Sequence, residues 1–253
     1  MTRFKRFKKK WLDSRMPFLI LETPTPLDTK YIWTKETKKG AYDYVDDKKL
    51  IIDKQEHLVY KILGGTILAF ALVMSLITWS FKIHHLVTIC VSAPFFIYGF
   101  TAPQKLYVYN REQGLITFPS YFYKPDITMP FPKSSVTWFG NGGTSGAMRI
   151  ELYVSKENAP GGALLLTHHY IHEASEEWSF IVWYMDKNRP LPPGDAFDAY
   201  READFERRKA EGFPPPLFKS QIPTPETTPK QQKEREKYWK DRDYFGKSES
   251  VWF

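Results

Sequence analysis

Two uninterrupted apolar runs, lying back to back, constrain this chain more than anything else in it. They are roughly Ile62 to Phe81, ILGGTILAFALVMSLITWSF, and Ile83 to Ala102, IHHLVTICVSAPFFIYGFTA. Each is about 20 residues, which at about 1.5 Å per residue spans about 30 Å of hydrocarbon. The first run holds no charged residue; the second holds only His84 and His85, next to the connecting turn. The helices of a soluble core are usually shorter and polar on one face, so a buried soluble hairpin is the weaker alternative. The expectation is a transmembrane helical hairpin within 58–103. Gly64, Gly65, Ala69, Ala71 and Ser75 supply small residues for close helix approach, and Pro94 is a point of kinking. A pore or substrate path would want a charge inside the spans, and neither run has one.

Charge sets the orientation. Of the net +7, nearly all lies before the first run: 15 Lys/Arg against 9 Asp/Glu up to residue 61, then 7 against 7 over 62–185 and 14 against 13 beyond. Lys48, Lys49, Lys54 and Lys61 precede the first span, only Lys82 lies between the spans, and Lys105 and Arg111 follow the second. The positive-inside rule puts both termini in the cytoplasm and the short turn outside. Trp79, Phe81, Tyr98 and Tyr60 fall near span ends, where aromatic belts form. Because the basic excess is local to the amino-terminal arm, no nucleic-acid partner is expected. The single cysteine, Cys90, excludes an intramolecular disulfide and fits a reducing compartment.

Before the hairpin, residues 1–57 read as a basic arm and a pre-membrane cytoplasmic segment. Phe4, Phe7, Trp11 and Leu12 share one helical face, with Lys8, Lys9 and Lys10 among the bases around it. This pattern suits a membrane surface or, equally, a solvated arm. Glu22-Thr23-Pro24-Thr25-Pro26 reads as an extended linker. Tyr31–Trp33 and Lys49–Asp53 are short strand candidates.

After the hairpin, 104–188 reads as a β-rich domain closed by a helix. Leu106–Tyr109 and Leu115–Phe118 flank a polar loop ending in Gly114, a β-hairpin signature. Further strand candidates are Ile127–Phe131, Ser135–Phe139, Ala147–Val154 and Ala163–His169. Ser175, Glu176 and Glu177 then open a helix whose apolar face is Trp178, Ile181, Val182 and Met185. Antiparallel strands followed by one helix give a pleckstrin-homology-like order. The expected fold class is thus a membrane α-helical hairpin plus an α+β cytoplasmic domain, an antiparallel sheet or barrel closed by its helix, with a Pro-rich helical tail.

That tail is 189–253. A helix is expected from Asp195 to Glu211, capped by Asp195 and stopped by Gly212, with Asp204 and Arg208 able to pair at i, i+4. A second begins with Thr228 at its cap and Pro229 in its first turn. The aromatics of this arm are too many for a solvated linker, so it should dock on its own domain or on a partner. By residue type, Trp138, Phe213, Leu217, Tyr238 and Trp239 are candidate anchors for a protein partner.

Catalytic chemistry finds little footing. The glycine-rich stretch 140–146 lacks the lysine of a phosphate loop. His168, His169 and His172 with Glu173 form the one group suggestive of metal, and strand geometry disperses it. No serine sits in a nucleophile elbow. The paired acids Glu176/Glu177 and Glu202/Asp204 fall on helix faces expected to be solvated. No enzyme activity, cofactor or metal is expected.

From Arg189 to about Gln232 the sequence, with Arg189-Pro190-Leu191-Pro192-Pro193-Gly194 and Phe213-Pro214-Pro215-Pro216 as its most specific elements, resembles an uncharacterised proteobacterial two-helix membrane family. The close match covers roughly a sixth of the chain; the rest is similar in layout. The resemblance implies a context of type VI secretion and Rhs-type toxin loci, and carries over no catalytic residues. It leads to the expectation of a multi-pass protein of the bacterial inner membrane. That protein would bind a cognate toxin as an immunity or effector-accessory protein. A cytoplasm-facing scaffold or lipid-binding module is the alternative.

Overall fold

The computed structural model describes residues 19–20, 23–24, 26–29, 32, 42–53, 56–77, 83–120, 122–133, 136–137, 149–152, 167–170 and 174–241. The fold is α+β. Strands β1 (Tyr44–Val45), β2 (Lys49–Asp53), β3 (Leu106–Asn110), β4 (Leu115–Phe118) and β5 (Ile127–Pro130) form an open antiparallel sheet in sequence order. Helices α1 (Glu56–Ile77) and α2 (Ile83–Thr101) fall in the chain between β2 and β3. A three-stranded antiparallel sheet follows, with β6 (Val136–Thr137), β7 (Arg149–Leu152) and β8 (Thr167–Tyr170). Helices α3 (Ala174–Met185), α4 (Arg201–Ala210) and α5 (Pro229–Asp241) complete the order. The sheet therefore takes two strands from before the helical pair, β2 among the expected candidates. The chain divides into two compact units, 1–52 with 108–117 and 128–253, and 53–107 with 118–127.

The β3–β4 hairpin forms as its alternation requires. Tyr107, Tyr109, Ile116 and Phe118 are buried, with Tyr109 opposite Ile116 and Asn110 opposite Leu115. Gly114 takes a positive φ of 66° in the turn, and the Gln113 amide donates to Asn110 Oδ1 at 2.9 Å.

In the larger unit α3 is buried on nearly every side, from Trp178 to Met185. Such a helix belongs to a core rather than to a surface. Phe180 packs on Tyr42, Tyr184 and Phe197, and Phe131 joins Trp178 to Phe218. The chain then turns back at Asp186 and the arm folds over this core. A 3-10 turn, Asp195–Tyr200, precedes α4, and Gly194 rather than Asp195 stands at its start. Gly194 has φ 135°, and a Cβ there would collide with the backbone of Leu27. The reason is the approach of two amino-terminal residues: the Leu27 amide donates to Pro193 O, and the Ile20 amide to Lys219 O. What reads as a proline linker is thus in part an arm-bound segment, with Ile20, Pro24 and Leu27 buried. At the far end, Thr228 caps α5 as expected. Its Oγ1 accepts the Gln231 amide and the Gln231 side chain accepts the Thr228 amide, a capping box.

Candidate functional site

Two features are built well enough to bear function: the outer surface of α1 and α2, and the interior of the arm. At about 1.5 Å per residue the helices are about 33 and 28 Å long. They run antiparallel, since Gly64 faces Phe96 while Lys61 faces Gly99. A Cβ on Gly64 would lie 2.6 Å from the Phe96 backbone nitrogen, and one on Gly99 2.7 Å from that of Lys61. Glycine at both crossings is what lets the backbones approach. Gly64, Ala71 and Ser75 are buried on α1, and Ser92, Tyr98 and Gly99 on α2. Hydroxyls on these helices turn to their own backbone: Ser75 donates to Ala71 O and Thr66 to Leu63 O.

The outward faces are apolar. Among the described residues, the exposed large hydrophobics all lie on these two helices except Tyr44, Phe122, Tyr123 and Leu217. Among the described residues one helical stretch, Leu58–Ile77, is long and apolar enough to cross a membrane by length and composition; Leu86–Thr101 is apolar but shorter. A patch of this extent on a protein surface marks an interaction face. At the open end of the pair, Tyr60 stacks edge-on against Tyr98 at 5.0 Å, and Lys61 Nζ lies 4.8 Å over the Phe100 ring.

The arm is the reverse case, with charge inside. Arg111, in the β3–β4 turn, donates to Tyr184 O, to Arg189 O and to Asp204 Oδ1 at 2.7 Å. Asp204 also accepts from Arg207 and, at 2.9 Å, from Arg208 Nε. Arg208 then grips Glu226 with both terminal nitrogens, each at 2.7 Å, and Arg235 adds a third contact at 2.8 Å. Burial works to raise the Asp204 carboxyl, but Arg111 and Arg208 outweigh it and hold the group below its ordinary value. Arg235, desolvated beside other guanidinia, is brought down to about 10. A second buried pair, Asp186 and Arg189, closes the start of the arm. Asp186 takes the Leu217 and Phe218 amides, while Arg189 reaches Thr224 Oγ1 and Phe218 O. Burial is the largest influence on both, raising the carboxyl and lowering the guanidinium.

The Pro-rich elements follow from this wiring. Proline offers carbonyls without amides, so donors must come from elsewhere. Arg201 supplies them to Leu191, Pro192 and Gly194, and Trp183 Nε1 supplies Pro190. Phe213 has φ 44° just after the Gly212 helix stop, and its carbonyl receives Trp239 Nε1 at 2.9 Å.

The candidate anchors separate accordingly. Phe213 and Trp239 are buried with Phe205 in the arm's own core, and Tyr238 packs on that core half-buried. Leu217 is 53% exposed. Trp138, Phe4, Phe7, Trp11, Lys8, Lys9 and Lys10 lie outside the described residues. His168 and His169 stand opposite Glu151 and Ile150 in the β7–β8 ladder; His172 and Glu173 lie outside the described residues. Among the described residues no group of three or more His, Cys, Asp or Glu is placed to hold a metal ion.

Two of the acids expected on solvated faces are corrected. Asp204 is at the centre of the buried network. Glu177 receives the Tyr42 hydroxyl at 3.1 Å, and burial raises its carboxyl to about 7. Arg111 was concealed by its place in a polar turn, where a base ordinarily faces water. Its partners lie far away in sequence, and no local pattern announces them. Comparison of the chain with models of known protein families, with curated proteins and with solved structures gives no match.

Proposed function

We propose that this chain is a bilayer-anchored, non-enzymatic binding protein. In this reading α1 and α2 cross the inner membrane of a bacterium as a hairpin, with both termini in the cytoplasm. The single observation that carries it is the continuous outward display of Leu, Ile, Val and Phe by two helices that meet through Gly64 and Gly99. In water such a surface would drive aggregation; in lipid it is solvated. The lysine bias toward the open end of the pair supports the orientation. The β-rich part is read as pleckstrin-homology-like. Its support is the run of antiparallel strands ending in α3, with the membrane pair entering between β2 and β3.

The proposed role is that of an immunity or effector-accessory protein that binds a cognate toxin of a type VI secretion-like system. Its biological context comes from the family resemblance of the RPLPPG and FPPP elements. The structural support is a rigid arm: with its charges paired inside, little is lost to ordering on contact with a partner. Tethering then raises the effective concentration at the membrane, so a modest surface suffices. Leu217, exposed beside the buried Phe218, is the anchor to test. Cells expressing the toxin encoded beside this gene should survive only when the chain is present, and Leu217→Asp should weaken protection without loss of membrane-bound protein. Failure of protection with every neighbouring gene product would overturn the immunity role.

A further inference from the structure

The smaller unit holds a turn that the helical pair does not require. Phe122 and Tyr123 are adjacent, 53% and 62% exposed, and followed by exposed Lys124. Phe122 has φ 52°, a left-handed conformation that a bulky residue adopts at a cost and that Gly or Asn adopts freely. Two aromatics displayed to water from a strained backbone give an aqueous turn nothing. Strain of this kind persists where the surroundings over-determine it.

The surroundings here do so. The Ser120 amide donates to Asp126 Oδ1 at 3.1 Å, closing the turn. Lys105 Nζ, buried, clamps it from below through Lys124 O at 2.8 Å and Asp126 Oδ1 at 2.9 Å. Both aromatic rings meet Tyr98 edge-on at 5.3 Å, and the Tyr123 hydroxyl lies 2.5 Å from Thr101 Oγ1 in the last turn of α2. The turn therefore continues the Tyr60, Tyr98 and Lys61 cluster at the open end of the helices. The amphipathic rings of Tyr60, Tyr98 and Tyr123 next to lysines have the composition of a membrane interface, and Phe122 adds an apolar ring to them.

We propose that Phe122 and Tyr123 are a second lipid contact, seated in the headgroup layer of the leaflet from which α1 and α2 emerge. The proposal rests on the bilayer reading of the helices and adds to it. The occupant is lipid, because the exposed rings are continuous with the apolar face of the hairpin and flanked by Lys124, while the turn's one described acid, Asp126, is paired with Lys105. The turn fixes the depth and tilt of the pair, as interfacial anchors do.

The test uses the full chain in vesicles of phosphatidylethanolamine and phosphatidylglycerol, with a nitroxide on one cysteine at a time. Native Cys90 reports the hairpin. In a Cys90→Ser background, Lys124→Cys reports the turn with both aromatics kept, and Glu206→Cys, on an exposed face of α4 with its side chain 57% exposed, reports water. Collisions with a water-soluble nickel chelate should be several-fold rarer at 124 than at 206. Adding Phe122→Ser and Tyr123→Ser should raise them several-fold at 124. If 124 is as open to the chelate as 206 while Cys90 stays in hydrocarbon, the lipid contact is wrong and the hairpin stands. No change on removing both aromatics also overturns it. If Cys90 itself is open to the chelate, the bilayer reading fails and this inference falls with it.

Discussion

In α1 and α2 most of the leucines, isoleucines and phenylalanines are exposed, while Gly64, Ala71 and Ser75 on one helix and Ser92 and Gly99 on the other are buried. In α4, a helix of sequence READFERRKA, the aspartate and one arginine face inward, while Lys209 and Glu206 stay wet. Each region inverts the ordinary rule of apolar inside and polar outside. On the bilayer reading proposed above, the first inversion is one that an apolar solvent accommodates. The second is held by pairing: Arg111, Arg189, Arg208 and Arg235 each meet a buried carboxylate, although Arg235 Nε is left without a hydrogen bond. Average polarity therefore misreports the arm, where a highly charged helix buries Asp204 and Arg208.

Breaking the arm should have the largest effect. Arg208→Met leaves Asp204 and Glu226 each short of a partner, and removing one member of a buried ion pair costs about 3–5 kcal/mol. Denaturant unfolding of the detergent-solubilised chain should show this loss, with new protease cleavage near Phe213. The exposed pair Lys209–Glu234, at 2.6 Å, is the internal control: Lys209→Ala should leave the midpoint unchanged. Equal effects from the two substitutions would refute the distinction between buried and surface charge.

The helical pair should respond next. Gly64→Leu places a side chain where the Phe96 backbone already is, a backbone that cannot swing aside. Overpacking of this kind costs about 3 kcal/mol. Phe70→Ala, on the outward face, should cost far less in detergent. Comparable losses would mean that the outward face is packed after all.

Glu177 carries the polar interior into α3. Its carboxyl is raised by burial to about 7, against 4.5 for the free group. Between those values the folded chain holds a proton that the unfolded chain has released. Stability from this group is therefore full at low pH, falls as pH rises toward 7, and levels off above. Allowing for its partial exposure, the swing is about 2 kcal/mol. The slope of midpoint against pH over this window should flatten in Glu177→Gln. A slope unchanged by the substitution would place the titrating group elsewhere.

The smallest effect is at the α5 cap. Thr228→Ala removes one half of the capping box and should cost about 1 kcal/mol. The loss should show as fraying of α5, measured by amide exchange, with the helical pair untouched.

Elements whose cause is local could be read directly from the sequence. The helical pair follows from sustained apolarity, the β3–β4 hairpin from alternation around Gly114, and the α5 start from Thr228 and Pro229. The pairing of Asp204 with Arg208 was also legible, being a matter of helical spacing. Its burial was not, because burial depends on Arg111 in a distant turn and on Glu226 beyond the prolines. Gly194 was missed as the start of the 3-10 turn because its cause is the approach of Leu27 from the other end of the chain. Phe213 and Trp239 look like partner anchors by type, since the residues that fill an interface are those that fill a core. The local signal for the Phe122–Tyr123 turn was present, two aromatics beside a lysine and a proline, but its meaning depends on its seat against Tyr98.

The bilayer placement of α1 and α2 is the claim on which the functional reading rests. Alkaline carbonate washing of membranes from cells expressing the full chain tests it directly. The chain should stay in the washed bilayer and leave it only with detergent. Release into the wash, with recovery as a monodisperse species in detergent-free buffer, would contradict the account.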